Sequence, residues 1–192
     1  MMVRELERKS AHIFSALAPL SFLFFPKTVL FYLLIFGSIL FVGADYLRRY
    51  GEIYRSLFYI VAGWAMREDE KEKNTLTGAS WLFISMSFIL LIFPLNIAIP
   101  SLLIMHWCDA MAALVGKKWG RHRWIREHTV EGSLAFIFTG VLILSFGFPS
   151  IPFTVALITV ILATFAESLF AKIDDNILIP LVSAVSLFLL GQ

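Results

Sequence analysis

Cysteine is nearly absent from this chain: Cys108 stands alone, so no internal disulfide framework can form. There is no Asn-x-Ser/Thr acceptor, no heptad repeat and no low-complexity tract. Charge is also scarce. Only 16% of residues are charged and the net charge is +2, which gives no electrostatic case for nucleic acid as a partner. A Walker A loop is missing as well. Around Gly116-Lys117, Met111 stands where that motif's first glycine belongs and Lys118 where its Ser or Thr belongs.

What is present is apolar. The chain is 59% hydrophobic with a mean hydropathy of +0.81, far above a soluble domain. The expected fold class is all-α, a polytopic integral membrane helical bundle of about seven transmembrane helices plus a short interfacial helix. Lipid leaves no partner for unpaired backbone groups, so long apolar runs mean helices. The runs fall at about 10–26, 28–47, 78–94, 95–116, 130–148, 151–171 and 176–191. Pro94 and Pro100 mark one turn, and Gly147, Pro149 and Pro152 another. The first run follows Arg4, Arg8 and Lys9 like a signal peptide, but Pro26-Lys27 leads straight into another apolar run, with no clear cleavage region. Residues 1–192 are therefore expected to form a single transmembrane catalytic domain. Ile53, Leu57, Ile60 or Val61, and Trp64 recur at helical spacing within 50–66, which reads as the interfacial helix or as one packed among the spans. Arg67 to Lys73 reads as a solvated loop of mixed charge.

Charge is distributed on one side. Of the 16 Lys and Arg residues, Lys27 alone falls in the opposite loops, and all 14 acidic residues and four histidines share the basic half. The positive-inside rule puts the N-terminus and any active site in the cytoplasm, with the C-terminus opposite.

Ionisable groups at membrane depth are costly and mark function. Asp109 lies about 14 residues into the fourth run, roughly 21 Å along it at 1.5 Å per residue. His106, Asp109, Ala113 and Gly116 are spaced to share one helix face. A carboxylate there suits a divalent cation carrying nucleotide phosphates. Gly116-Lys117-Lys118-Trp119-Gly120 offers close backbone approach and point charges to a phosphate. Thr129 reads as the N-cap of the next helix, with Glu131, Gly132 and Ser133 in its first turn. Glu167 near a helix C-terminus needs a compensating cation. Asp174, Asp175 and Asn176 open the last helix, either capping it or facing the same site, and Pro180 follows in its first turns. Arg8, Lys9 and His12 stand at the first span's entry. Asp45 resembles Asp109 in placement, in a plainer context.

Taken in order, these islands resemble the CTP-dependent lipid-alcohol kinase family, which includes dolichol and polyprenol kinases, phytol kinases and CTP-dependent diacylglycerol kinases. Arg8-Lys9-Ser-Ala-His12 matches its Arg-Lys-x-x-His. Asp109-Ala-Met-Ala112-Ala-Leu-Val-Gly116-Lys-Lys-Trp-Gly120 matches its Asp-x-x-Ala-x-x-x-Gly-x-x-x-Gly. Thr129-Val-Glu131-Gly132-Ser133, Glu167 and Asp175-Asn176-Ile-Leu-Ile-Pro180 follow, and Thr77-Gly78-Ala79 resembles the family's middle-helix start. The resemblance runs from residue 4 to about 184. Cys108 replaces the usual Gly, and His128 the usual Lys.

The resemblance implies a membrane kinase passing the γ-phosphate of CTP to the hydroxyl of a lipid alcohol, among membrane lipids. Asp109, Glu131 and Asp175 would hold one or two divalent cations, by preference Mg²⁺. Glu167, Asp174 or His12 would take the hydroxyl proton. Arg8, Lys9, Ala112, Gly116, Lys117, Lys118, Gly120, His128, Thr129, Gly132, Ser133 and Asn176 would contact the nucleotide. Two other classes fit the same residues: a CTP-dependent lipid-phosphate cytidylyltransferase and a non-enzymatic transporter. A transporter should carry polar groups on both sides or broken helices at the midplane, and the opposite half here is almost devoid of charge.

Overall fold

A computed structural model describes residues 2–63, 66, 70, 75–170 and 172–191, with side chains from residue 6 onward. Trp64 and the expected charged loop from Arg67 to Lys73, apart from Glu70, lie outside the described residues. The helices are α1 (Met2–Ser15), α2 (Leu17–Ser21), α3 (Lys27–Leu47), α4 (Glu52–Ala62), α5 (Gly78–Ile92), α6 (Leu95–Trp119), α7 (Val130–Gly147), α8 (Phe153–Leu169) and α9 (Asp175–Leu190).

Proline and polar caps set many of the starts. Pro26, Pro94 and Pro152 stand immediately before α3, α6 and α8, where a missing N–H costs no helical bond. Thr129 caps α7 by accepting the Gly132 N–H at 3.1 Å, as its sequence position predicts. Pro100 departs from expectation, because it lies inside α6 instead of at a turn. Ser101 Oγ donates to the Ile97 carbonyl on that stretch of helix, at 2.6 Å.

α6 is the axis of the bundle. Buried side chains cover 67% of its apolar window, against 11% for α3 and 22% for α7. Ile99, Leu102 and Met105 pack with Phe136 of α7, Val160 of α8 and Ile179 of α9. Gly140 lets α7 approach closely: a Cβ there would lie 2.7 Å from Val160 Cγ2 and 3.2 Å from Cys108 Sγ. Cys108 is fully buried in this core. Cys108, which departs from the glycine of the resembled family, is thus placed among packed helices.

The outer surface inverts the pattern of a water-soluble domain. Large apolar side chains face outward along α3, α7 and α8, with Phe146 81% exposed. So much exposed apolar surface is tolerated in lipid and not in water. Among the described residues three helices are long and apolar enough to cross a membrane: Lys27–Leu47, Leu95–Trp119 and Val130–Gly147. Gly78–Ile92, Phe153–Leu169 and Asp175–Leu190 are shorter apolar helices. The expected span at 10–26 is divided between α1 and α2, since Pro19 cannot donate to the Ser15 carbonyl and so interrupts the ladder. Helix lengths alone therefore account for three spans, fewer than the seven expected.

Two details depart from a purely helical reading. Residues Arg123–Ile125 (β1) and His128–Thr129 (β2) form a two-stranded antiparallel hairpin. Arg126 turns it with φ 52°, a left-handed conformation in which glycine or asparagine is the usual sign. And α6 contains a π-helical turn over Ile104–Cys108, immediately before Asp109.

Candidate functional site

A cleft of about 700 Å³ opens where α1, α6, the hairpin, α7, α8 and α9 meet. α8 and α9 deliver their polar groups from an end, α1 and α6 from within the helix. α1 brings Arg8 and Lys9, α6 brings Asp109, Gly116 and Lys117, and the hairpin brings Arg123 and His128. Glu167 arrives from the last turn of α8 and Asp175 from the first turn of α9.

The centre of the wall is a buried ion pair. Lys9 Nζ lies 2.6 Å from Asp109 Oδ2, with the two residues 3% and 7% exposed. Charges this deep persist only when paired. His12 Nε2 lies 3.5 Å from the same oxygen and 3.3 Å from the Met105 carbonyl, to which it can only donate. Glu167 is 6% exposed, and His128 Nδ1 lies 3.9 Å from its Oε1.

The π-helical turn re-aims the residues before Asp109. One extra residue per turn rotates everything N-terminal to it. His106 consequently leaves the face it was expected to share with Asp109. It is fully buried against α1, its Nδ1 3.0 Å from both the His12 carbonyl and Ser15 Oγ. Ala112, Ala113 and Gly116, beyond the turn, do line the cleft with Asp109.

The glycines of this wall answer to protein atoms. A Cβ on Gly120 would meet the Gly116 carbonyl at 2.2 Å and Thr129 Cγ2 at 2.7 Å. One on Gly132 would meet the Ala112 carbonyl at 2.9 Å. Their identity is thus explained by seating the Thr129 cap between α6 and α7.

Of the residues the sequence nominates, Arg8, Lys9, Asp109, Ala112, Gly116, Lys117, Gly120, His128, Thr129, Gly132, Ser133, Glu167 and Asp175 line the cleft. Five stand elsewhere. Glu131 turns to His122, whose Nδ1 is 2.7 Å from its Oε1. Lys118 lies over the Trp119 ring, 4.5 Å from its centroid. Asp174 caps α9, its Oδ1 accepting from Asn176 N at 3.0 Å and Asn176 Nδ2 at 2.7 Å. Asn176 Nδ2 also donates to the Gly78 carbonyl and straps α9 to α5. His12 and Asn176 face a second, apolar pocket next to the cleft. Arg123 and Glu127 line the cleft without having been nominated; only the hairpin, with no glycine to announce its turn, brings them there.

The expected cation set of Asp109, Glu131 and Asp175 is not gathered in one place, because Glu131 is outside the cleft lining. Among the described residues no three His, Cys, Asp or Glu side chains cluster as a metal cage. Mg²⁺ commonly uses one or two carboxylates and takes its remaining oxygens from substrate phosphates and water. Of the three, Asp109 and Asp175 line the cleft.

Asp45, near the end of the apolar helix α3, is differently engaged. Its Oδ1 accepts from Arg48 Nε at 2.8 Å, and its Oδ2 from Thr77 N, Thr77 Oγ1 and Ser80 Oγ. Four donors fill a carboxylate's acceptor sites, so Asp45 is a tie between helices.

His128 is half-buried, and burial lowers its pKa from the usual 6.5. Asp109 and Glu127 favour its charged form, Arg126 opposes it, and desolvation is the largest influence. His128 is therefore mainly neutral at neutral pH, where the family's usual lysine would be charged.

No family model matches the chain, and no solved structure matches it. Curated relatives do. A CTP-dependent diacylglycerol kinase of Schizosaccharomyces pombe is 33% identical over 163 residues, covering 76% of this chain and 74% of that protein. One from Eremothecium gossypii is 32% identical over 111 residues, covering 57% of this chain and 34% of that protein. A phytol kinase of Synechocystis is 36% identical over 95 residues, or 44% and 40% of the two chains. The first of these similarities is strong and broad enough to place a protein of this architecture, and the chain belongs to the CTP-dependent lipid kinase family.

Proposed function

We propose that this protein transfers the γ-phosphate of CTP to the hydroxyl of a lipid alcohol, an isoprenoid alcohol such as a polyprenol or else diacylglycerol, at the cytoplasmic face of a membrane. The observation that carries the proposal is the cleft itself, lined by Arg8, Lys117 and Arg123 together with Asp109, Glu167 and Asp175, in a bundle with an apolar exterior. Phosphoryl transfer asks mainly for positioning and charge neutralisation. The cations hold the triphosphate. The substrate hydroxyl oxygen forms a bond to the γ-phosphorus, the bond from that phosphorus to the β-phosphate oxygen breaks, and CDP leaves with the electron pair. The hydroxyl proton passes to Glu167 or His12, both beside Asp109's end of the cleft. Mg²⁺ held by Asp109, Asp175 and the phosphates would supply further charge neutralisation.

CTP labelled at the γ-phosphate tests this reading with purified protein and a panel of lipid alcohols. Label moving into the lipid is expected. Labelled pyrophosphate would instead establish a cytidylyltransferase, and no turnover with any lipid would overturn both enzymatic readings.

His128 adds a pH-dependent prediction. A lowered pKa means that the wild type gains a positive charge at this position only as pH falls below the usual histidine value of 6.5. His128→Lys carries that charge throughout. At pH 7.5 the variant should show a lower KM for CTP, by about fivefold for roughly 1 kcal/mol from one partly exposed charge. The ratio of the two KM values should shrink towards one on going to pH 5.5, because the wild-type imidazole charges while the lysine does not change. A ratio constant across that window would remove His128 from the nucleotide's surroundings.

A further inference from the structure

Beside the polar cleft lies a pocket of about 320 Å³ with the opposite character. Ala11, Phe41, Val61, Ala79, Leu82 and Phe83 supply its apolar walls. Two residues, Arg8 and Asp109, belong to both cavities. The cavities therefore meet at the carboxylate that Lys9 holds in place. Its polar lining includes Arg8, His12, Glu70, Asp109 and Asn176, and a largely apolar pocket with a few polar groups suits a ligand that is itself an apolar chain with a polar tip.

The mouth of the pocket is informative. Val61 lines it and is nonetheless 74% exposed, so it stands at the rim. The same helix, α4, turns Ile53 and Ile60 outward, 75% and 77% exposed. The rim is thus continuous with apolar outer surface of the kind a bilayer covers. In the same lining, Phe41 and Phe83 stack with ring centroids 4.6 Å apart and planes 18° from parallel. Gly37 makes room for that stack: a Cβ there would come within 2.6 Å of Phe83 Cε1.

We infer that this pocket seats the first carbons of the lipid acceptor, entering from the bilayer past Val61, with the hydroxyl directed to Asp109 and the Phe41–Phe83 stack setting the width of chain admitted. The inference rests on the kinase reading given above and assigns its second substrate a place. Phe41 and Phe83 are then specificity-determining residues, remote from the phosphates. Ala79, also in the lining, limits how much chain fits.

The test has a binding arm and a kinetic arm. A long-chain alcohol carrying a photoreactive diazirine a few carbons from its hydroxyl is irradiated with the purified protein. Crosslinks to Ala79–Phe83 and to Phe41 are expected, and they should fall in Ala79→Phe. Crosslinks confined to outward residues of α3 or α7 overturn the inference, whether or not the protein is a kinase. In the kinetic arm, Ala79→Phe should raise the KM for the acceptor about tenfold, the scale of a misfitted apolar group, and leave the KM for CTP within twofold. Phe83→Ala, which removes bulk and carries the test should Ala79→Phe fail to fold, should shift preference towards a branched isoprenoid alcohol over a straight-chain one. Equal changes in both KM values, or an unchanged acceptor preference in Phe83→Ala, would sink the assignment. Failure of the kinase reading is separately visible as absence of γ-label transfer by the wild type.

Discussion

Asp109→Asn is expected to abolish phosphoryl transfer, by a thousandfold or about that, the scale of losing a group that positions charge at a reacting centre. The side chain keeps its shape and loses its charge. Two consequences follow from the geometry. The cleft loses a carboxylate at the junction of its polar and apolar compartments. Lys9, 2.6 Å away and 3% exposed, loses its counter-ion. Breaking one side of a buried pair costs about 3–5 kcal/mol, so the single variant should also melt earlier in detergent. A lost activity could then be blamed on a damaged fold. The double variant Lys9→Met with Asp109→Asn resolves this, because it removes the stranded ammonium. It should regain most of the melting temperature and none of the turnover. Wild-type rates in Asp109→Asn, or turnover recovered in the double variant, would make Asp109 a packing residue.

Where polarity interrupts apolar sequence, the site was legible. Asp109 stands out because lipid tolerates few such groups, Gly116, Gly120, Thr129 and Gly132 because they flank a basic turn between two apolar runs, and all five do line one cleft. Helix periodicity then misleads by a single residue. It assumes 3.6 residues per turn throughout, and the π-helical turn over Ile104–Cys108 breaks the assumption just before Asp109, carrying His106 into the core. Glu131 is a different case. Its place in the first turn of α7 is as expected, but a helix position does not fix the direction of a long side chain, and His122 on the hairpin captures it. That hairpin turns at Arg126, a residue type with no preference for positive φ, so neither the strands nor the arrival of Arg123 in the cleft had a local sign. Pro100 shows the converse. Proline is a reliable boundary in water-exposed helices, yet here it sits within the helix at the centre of the bundle, where surrounding helices can stabilise an interrupted ladder.

Asp45 and Asp109 look alike in sequence and should fail in different ways when changed. Asp45 is fully buried and holds four donors from three parts of the chain: Arg48 at the end of α3, Thr77 before α5, and Ser80 within it. Arg48 extends the tie, donating to the Glu70 and Thr75 carbonyls and lying 5.3 Å over the Phe58 ring of α4. Asp45→Asn presents an amide where donors already point. Hydroxyls can rotate away, but the Thr77 N–H and the Arg48 guanidinium cannot stop donating. The expected loss is about 3–5 kcal/mol of stability, most of it from the unpaired buried guanidinium, a fall in melting temperature on the order of 10 °C for a chain of this size. Ser80→Ala, which removes one donor of the four, should cost only about 1 kcal/mol. Molecules of Asp45→Asn that remain folded should turn over substrate at near the wild-type kcat, since Asp45 lines neither cavity. Thermal melts in detergent alongside rates per folded molecule decide the matter. A variant that melts like the wild type would show the tie to be dispensable. One that melts normally and cannot transfer phosphate would move Asp45 from the scaffold into the chemistry, and would require the carboxylate to exchange its four donors for a ligand during turnover.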